Sequence, residues 1–270
     1  METVCHDKHW DVALACDDGG NIIAALPYLI GSKLGLRYIL QPQLTQYNGP
    51  WYRPGTDHDT ADSCLIGQLH RNHPILFDQN FAPDITPGPA WHRCRITPRI
   101  TYRLEDISDP QRIFDGFDRS RRQRQIRRAE RQLQPATIDA GQFATFHRQY
   151  WESRGEHDLL PHDFMVRLIT TACQRGQGLL LGLQDSGGTL KAARFVAYDS
   201  HSAYALLSAL DPQGHPNGAS ALLFWLIIQQ LEGHTRAFDF EGSMQPSIAQ
   251  SYALYGATPT TYYKVQKLFL

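Results

Sequence analysis

What the chain lacks narrows its function first. Over 270 residues the formal net charge is only −1, too small for an overall field that would coat nucleic acid or a membrane, so any polyanion contact has to be local. The five cysteines, at positions 5, 16, 64, 94 and 173, are odd in number, scattered and never in a Cys-x-x-Cys pair. That pattern excludes a disulfide framework and a zinc knuckle, and it fits a reducing cytoplasm. None of the twelve histidines stands in a His-Glu-x-x-His spacing. The pairs His6/His9 and His70/His73 read as structural or surface groups, and no metal is expected. No basic start leads into an apolar segment, and the longest apolar run, residues 221–228, is far too short to span a bilayer. The expectation is a soluble, unsecreted protein.

What is present reads as a mixed chain long enough for one large domain or two smaller ones. Residues 10–15 and 21–29 are apolar segments joined by Cys16-Asp17-Asp18-Gly19-Gly20, which predicts an antiparallel hairpin. A third strand is expected at 37–40, then a polar and aromatic loop at 41–51 that contains Gln46 and could line a cleft. Residues 60–71 fit a helix with Leu65, Ile66 and Leu69 on one side, and strands are expected at 74–77 and 93–102.

Residues 109–133 read as one helix, capped by Ser108 or Asp109 with Pro110 at its first position. At about 100° per residue, Arg121, Arg124, Arg128 and Arg131 fall on one stripe and Ile126, Ala129 and Leu133 on the opposite side. Seven arginines between positions 119 and 131 are offset only by Glu130. One reading is a solvated helix face that links two domains. The other is an anion site, because guanidinium groups suit bidentate contacts to phosphate or carboxylate.

Beyond Pro135, helical spacing recurs at Phe143, Phe146, Tyr150 and Trp151 and again at Phe164, Leu168, Ile169 and Ala172. Three strands with tight turns follow at 179–183, 190–198 and 202–210, the pattern of an antiparallel meander. His215-Pro216-Asn217-Gly218-Ala219-Ser220 then turns into a buried helix. Ala237-Phe238-Asp239-Phe240-Glu241-Gly242-Ser243 reads as a buried strand that breaks open at Gly242, just before a helix beginning near Ser247. Residues 262–268 close the sheet.

This order, together with Phe238-Asp239-Phe240-Glu241-Gly242-Ser243-Met244, Tyr255-Gly256-Ala257, Tyr262-Tyr263-Lys264 and the basic run 121–130, resembles the FemAB-like branch of the GNAT acyltransferase superfamily. The resemblance implies an α/β (α+β) tandem GNAT-like fold with mixed, mainly antiparallel sheets flanked by helices. It places a shortened N-terminal GNAT-like domain at 1–107, a basic linker helix at 108–134 and a C-terminal GNAT acyltransferase domain at 135–270. Two departures stand out. The 215–220 turn keeps the glycine of the pyrophosphate-binding pattern but begins with His and ends with Ser, and the long helical arm common in aminoacyl-tRNA-dependent Fem enzymes is missing.

The resemblance implies a cytoplasmic N-acyltransferase that moves an acyl group from acyl-CoA to a small-molecule amine by direct attack, with no metal. His215, Asn217, Gly218, Ala219 and Ser220 would hold the donor, because main-chain N–H groups at a helix start favour a pyrophosphate. A simple turn before a helix explains Gly218 equally well. Glu241, with Asp239 on the same face by strand alternation, is the candidate for taking the ammonium proton. Both carboxylates could instead cap a helix or pair with arginines. Tyr255 is a candidate proton donor to the leaving thiolate, or a core residue. Gln46, Arg121, Arg124, Arg128, Ser243 and Lys264 are candidate substrate contacts, with a strand-edge lysine as the plainer reading of Lys264. Alternatives are a Fem-type transferase that uses aminoacyl-tRNA on a cell-wall precursor, and a ligand-binding GNAT-fold protein without catalysis.

Overall fold

The computed structural model describes residues 8–156, 160–242 and 245–269. The chain forms two compact units, Met1–Ile100 with Thr260–Leu270, and Thr101–Pro259.

In the first unit β1 (His9–Cys16) and β2 (Ile22–Lys33) form the expected hairpin. Asp17 sets its turn by accepting from the Asn21 N–H at 2.8 Å. Next come β3 (Leu36–Leu40), the short β4 (Trp51–Tyr52), α1 (His58–Arg71) and β5 (Pro74–Phe81). Because α1 crosses between them, β3 and β5 run parallel, and Leu65 and Leu69 of α1 enter the core. Phe77, Phe81 and Trp91 fill that core, with the Phe81 and Trp91 rings edge to face at 5.0 Å. The unit's last strand comes from the other end of the chain: β12 (Thr258–Leu268) pairs antiparallel with β5, Tyr263 opposite Phe81 and Leu268 opposite Leu76. Residues 260–270 therefore belong with the first unit, a division that departs from the 135–270 domain expected from sequence.

The second unit begins within β6 (Arg95–Leu104). Asp109 caps α2 (Pro110–Gly116) by accepting from the Arg112 N–H at 3.0 Å, with Pro110 at the helix start. The single helix expected over 109–133 is not what forms. Phe117 is extended and buried, its ring edge to face with Tyr255 at 5.2 Å and with Trp225 at 6.1 Å. Burying that ring breaks the helix. Asp118 then caps a new start, accepting from the Arg121 N–H at 2.7 Å, and a wide turn at Arg119–Gln123 runs into α3 (Arg124–Ala129).

After β7 (Gln134–Ala136), a reciprocal Asp139–Gln142 capping box starts α4 (Ala140–Ser153), as such a pair does by satisfying two orphan donors. Then follow α5 (His162–Gln174) and the meander β8 (Gly178–Gln184), β9 (Leu190–Tyr198) and β10 (Ser202–Leu210). The unit closes with α6 (Ala219–Gln230), β11 (Ala237–Asp239) and α7 (Pro246–Ala253). The sheet order is β6-β11-β10-β9-β8-β7. α6 is apolar on nearly every face and buried accordingly, in one core with Ile126 and Ala129 of α3 and Leu183, Ala192 and Val196 of the sheet. β11 runs parallel to β10 over only three pairs, ending at Tyr204 opposite Asp239. Beyond Tyr204, β10 has lost that neighbour.

Candidate active site

A cavity of about 690 Å³ opens beside the part of β10 that β11 leaves, lined there by Ala205, Ser208 and Leu210. The turn before α6 forms its floor with His215, Asn217 and Gly218–Ser220. α7 contributes Ser251 and Tyr252, with Tyr255 just beyond, and Arg122, Tyr150 and Arg194 complete the polar lining. No Asp or Glu is among the described lining residues, so the enclosed field is cationic.

Gly218 fixes this geometry, for a reason different from the expected one. Its φ is 104°, and a Cβ there would lie 2.3 Å from the Gln125 carbonyl oxygen. The glycine is thus required by the close approach of the basic segment's main chain, whereas the sequence suggested close approach of a phosphate. Gln125 Nε2 also donates to Asn217 Oδ1 at 3.1 Å, tying the turn to the basic segment a second time. No side chain caps α6. Ala219 N–H is taken by Pro216 O at 3.1 Å, and the remaining first-turn N–H groups have no intrahelical acceptor. Ser220 lines the cavity at this helix end, and His215 is exposed at its edge.

The arginine stripe faces solvent opposite buried Ile126, Ala129 and Leu133, as the solvated reading of the sequence has it. Arg121, Arg124 and Arg128 are exposed and do not line the cavity; Arg122 does. Its Nη1 donates to Gln125 Oε1 at 2.7 Å, its Nη2 donates to Ser251 O at 2.9 Å and to Ser251 Oγ, and the guanidinium carbon sits 4.5 Å from the Tyr255 ring centre. Arg122 stands four residues before Ile126 and seven before Ala129, so it shares their buried side and faces inward. Arg194, buried in β9, is a second inward cation that sequence reading missed. Its signal was an arginine inside the otherwise apolar run Ala192-Ala193-Arg194-Phe195-Val196.

Asp239 and Glu241 do not share a strand face. β11 ends at Asp239, and Glu241 adopts a left-handed backbone with φ 61°. Asp239 is 0 % exposed; its Oδ1 accepts from Thr101 Oγ1 at 2.5 Å and from the Glu241 N–H at 2.8 Å. It is the group that holds Glu241 in this turn and has no surface open to a substrate. Glu241 is half-buried. Burial first and the neighbouring Asp239 charge second push its carboxyl from 4.5 to about 8, against the lowering influence of Arg194. A carboxyl so placed exchanges protons near neutral pH. Burial likewise pushes the Tyr255 phenol up to about 12 and raises Tyr252, so both stay protonated. Tyr255 is buried within an aromatic cluster with Phe117, Phe224 and Phe240, whereas Tyr252 is half-buried.

Lys264 and Gln46 belong to the first unit. Lys264 Nζ pairs with Asp78 Oδ2 at 3.0 Å, and Gln46 O accepts from Asn80 Nδ2 at 3.2 Å while its own Nε2 is buried without a partner. Ser243 lies outside the described residues. Among the described residues no cluster of three or more His, Cys, Asp or Glu could hold a metal ion, and no helix is long and apolar enough to cross a membrane.

A meander, a buried helix opening at a glycine turn, and a short parallel strand that parts from its neighbour beside that helix define the GNAT class of acyltransferase folds. Residues 119–247 match the family described as an acetyltransferase (GNAT) domain. Solved structures extend the likeness over nearly the whole chain. FemX has a TM-score of 0.72 at 10% identity, covering 97% of this chain and 89% of that one. A tandem GNAT protein from the clavulanic acid biosynthesis pathway has 0.61 at 15%, covering 96% and 82%. A C-terminal domain assigned to a lysylphosphatidylglycerol synthetase of Agrobacterium fabrum has 0.62 at 12%, covering 97% and 84%. At these identities the likeness is one of fold. A comparison with curated sequences returns no match. Residues 119–247 therefore match a GNAT domain, and the chain as a whole shares the fold of FemX and of a tandem GNAT protein.

Proposed function

We propose that this enzyme transfers an acyl group from an acyl-CoA to an amine by direct attack. The observation that carries this reading is the uncapped N-terminus of α6, facing a cavity that holds two arginines and no described acidic residue. A helix start with free N–H groups and partial positive charge suits a pyrophosphate, and Arg122 adds a full charge beside it. The edge of β10 beyond Tyr204, without its β11 partner, offers main-chain groups to the donor's arm and to the oxygen that becomes negative as the amine attacks.

In the transfer the amine nitrogen forms the new bond to the thioester carbon and the C–S bond breaks. The ammonium proton passes through water to the Glu241 carboxylate, which lies outside the cavity lining, and the thiolate is protonated by a cavity phenol, Tyr252 or Tyr255, which regains its proton from Glu241. Net, amine plus acyl-CoA gives amide plus free thiol. With its carboxyl raised to about 8, Glu241 both takes the proton and gives it up. A cytoplasmic location suits a CoA-dependent reaction, and the four described cysteines are unpaired.

A second reading, aminoacyl transfer from tRNA, is favoured by one observation: Arg121, Arg124 and Arg128 project to solvent as a basic face. Calorimetry separates the two. The acyl-CoA reading expects binding of acetyl-CoA or a longer acyl-CoA and turnover with an amine panel. Failure of every acyl-CoA to bind, with charged tRNA binding that weakens steeply as salt rises, would overturn it.

A further inference from the structure

Arg194 and Arg122 both line the cavity and each keeps a buried Nε without a hydrogen-bond partner, but Arg194 is the more deeply buried of the two. Its β9 neighbours Ala192, Ala193, Phe195 and Val196 are all buried, and it is itself 6 % exposed. The guanidinium carbon lies 3.6 Å from the centre of the Phe224 ring, Nη2 donates to Ser220 Oγ at 3.2 Å, and Nε is buried with no hydrogen-bond partner. Glu241 acts on it electrostatically from outside the cavity lining, and no described Asp or Glu lines the cavity. Both Nη groups of Arg122 are engaged, by Gln125 and Ser251, whereas Arg194 has only the Nη2 bond to Ser220.

A guanidinium keeps its charge at any working pH, and a buried charge without a counter-charge is strongly destabilising. Glu241, its carboxyl raised to about 8, offsets that charge little near neutral pH, and an anion entering the cavity would offset it directly. Stacked on Phe224, the guanidinium presents a planar edge of N–H groups, which matches the two oxygens of a carboxylate. Phe224 lies one helical turn beyond Ser220 in α6, so Arg194 reaches past the first-turn N–H groups, where donor phosphates would sit. A cavity of about 690 Å³ has room for a second anion beside one at the helix start.

We infer that the substrate taken by this cavity carries a carboxylate in addition to the donor phosphates, and that Arg194 selects for it. The inference rests on the acyl-transfer reading above. The carboxylate belongs either to a dicarboxylic acyl group on the donor or to an amino acid serving as acceptor, and the two sources are distinguishable by turnover.

The test has a binding arm and a turnover arm. Thermal melts are taken with succinate, succinamide and inorganic phosphate. Succinate should raise the melting temperature of the wild type, succinamide should not, and the succinate shift should vanish in Arg194→Met. Without ligand that variant should melt no lower than the wild type, because it removes an unpaired buried charge, so a vanished shift is not a folding defect. For turnover, succinyl-CoA is compared with butyryl-CoA across an amine panel, and amino acids are compared with their amides using acetyl-CoA. In one of these pairs the carboxylate-bearing member should be preferred by about a hundredfold or more in kcat/KM, falling to about threefold or less in Arg194→Met. The pair that responds identifies the carrier. Equal use of both members in both pairs, or an Arg194-dependent shift by phosphate and not by succinate, would overturn the inference. Absence of turnover with every acyl-CoA, with the succinate shift intact and lost in Arg194→Met, would overturn the acyl-CoA reading and leave the carboxylate site standing.

Discussion

Replacing Gly218 with alanine tests how the open end of α6 is held in place. At φ 104° an L side chain is strained, and the added Cβ would meet the Gln125 carbonyl oxygen at 2.3 Å and its carbonyl carbon at 2.7 Å. Backbone strain of this kind costs about 1–3 kcal/mol. Forcing a methyl group against packed main chain costs about 1–3 kcal/mol more. The variant should therefore lose roughly 2–6 kcal/mol, a large share of the about 5–15 kcal/mol that holds a native protein together. Urea unfolding followed by tryptophan fluorescence reads this loss directly, and donor affinity should weaken with it, because the same turn seats the helix end. The obstructing atom belongs to the main chain, so Gln125→Ala should not rescue Gly218→Ala. Unfolding of Gly218→Ala within about 0.5 kcal/mol of the wild type, the range of a harmless surface change, would refute the steric account. Intact stability with lost donor binding would return the glycine to the ligand-approach role read in the sequence.

Glu241→Gln should lower kcat by about 10²–10⁴-fold with little change in donor affinity, and the wild-type kcat/KM should rise as pH passes about 8. The same raised carboxyl makes the folded state hold a proton that the unfolded chain releases above 4.5, so its contribution to stability is full below 4.5 and is lost up to about 8. Thermal melts of Glu241→Gln relative to wild type should therefore improve between pH 5 and 9; a constant difference would count against the raised carboxyl. Asp239→Asn removes the charge that helps raise Glu241, so the midpoint of the kcat/KM profile should move to lower pH, and an unmoved midpoint would exclude that coupling. Arg122→Met should weaken acyl-CoA binding about tenfold or more, as loss of a charged hydrogen-bonding partner does, while a triple Arg121→Ala, Arg124→Ala, Arg128→Ala variant should leave it unchanged by calorimetry. A triple variant as impaired as Arg122→Met would place the phosphates on the outer stripe instead.

The order of elements was legible because local signals agree. Turn residues at 16–20 and 185–188 separate runs of strand period, and Asp109-Pro110 marks a helix start. The misreadings all involve interactions with residues far away in the chain. Nothing local at Phe117 announces that its ring belongs beside Trp225 and Tyr255, and the anion reading passed over Arg122, which lies on the buried side of the run and lines the cavity. Strand alternation through Glu241 failed because Asp239 spends its carboxylate on Thr101 and on the Glu241 main chain. The glycine turn before α6 was found, but the neighbour that requires a glycine there is Gln125, whose approach no spacing encodes. Arg194 carried a visible signal, a charge within an apolar strand.

The return of β12 to β5 has a consequence for how the chain is made. The residues that complete the first unit's sheet leave the ribosome only after the whole of the second unit. Until then β5 presents an unpaired edge, of the kind that invites pairing with other chains, while the second unit has the strands of its sheet from β6 to β11 already in hand. Domains emerging early normally fold early; here the earlier segment must wait for the later one. Slow synthesis between residues 101 and 259, or truncation before β12, should therefore harm yield through aggregation of the first unit, even though every residue proposed to handle the acyl donor lies in the second.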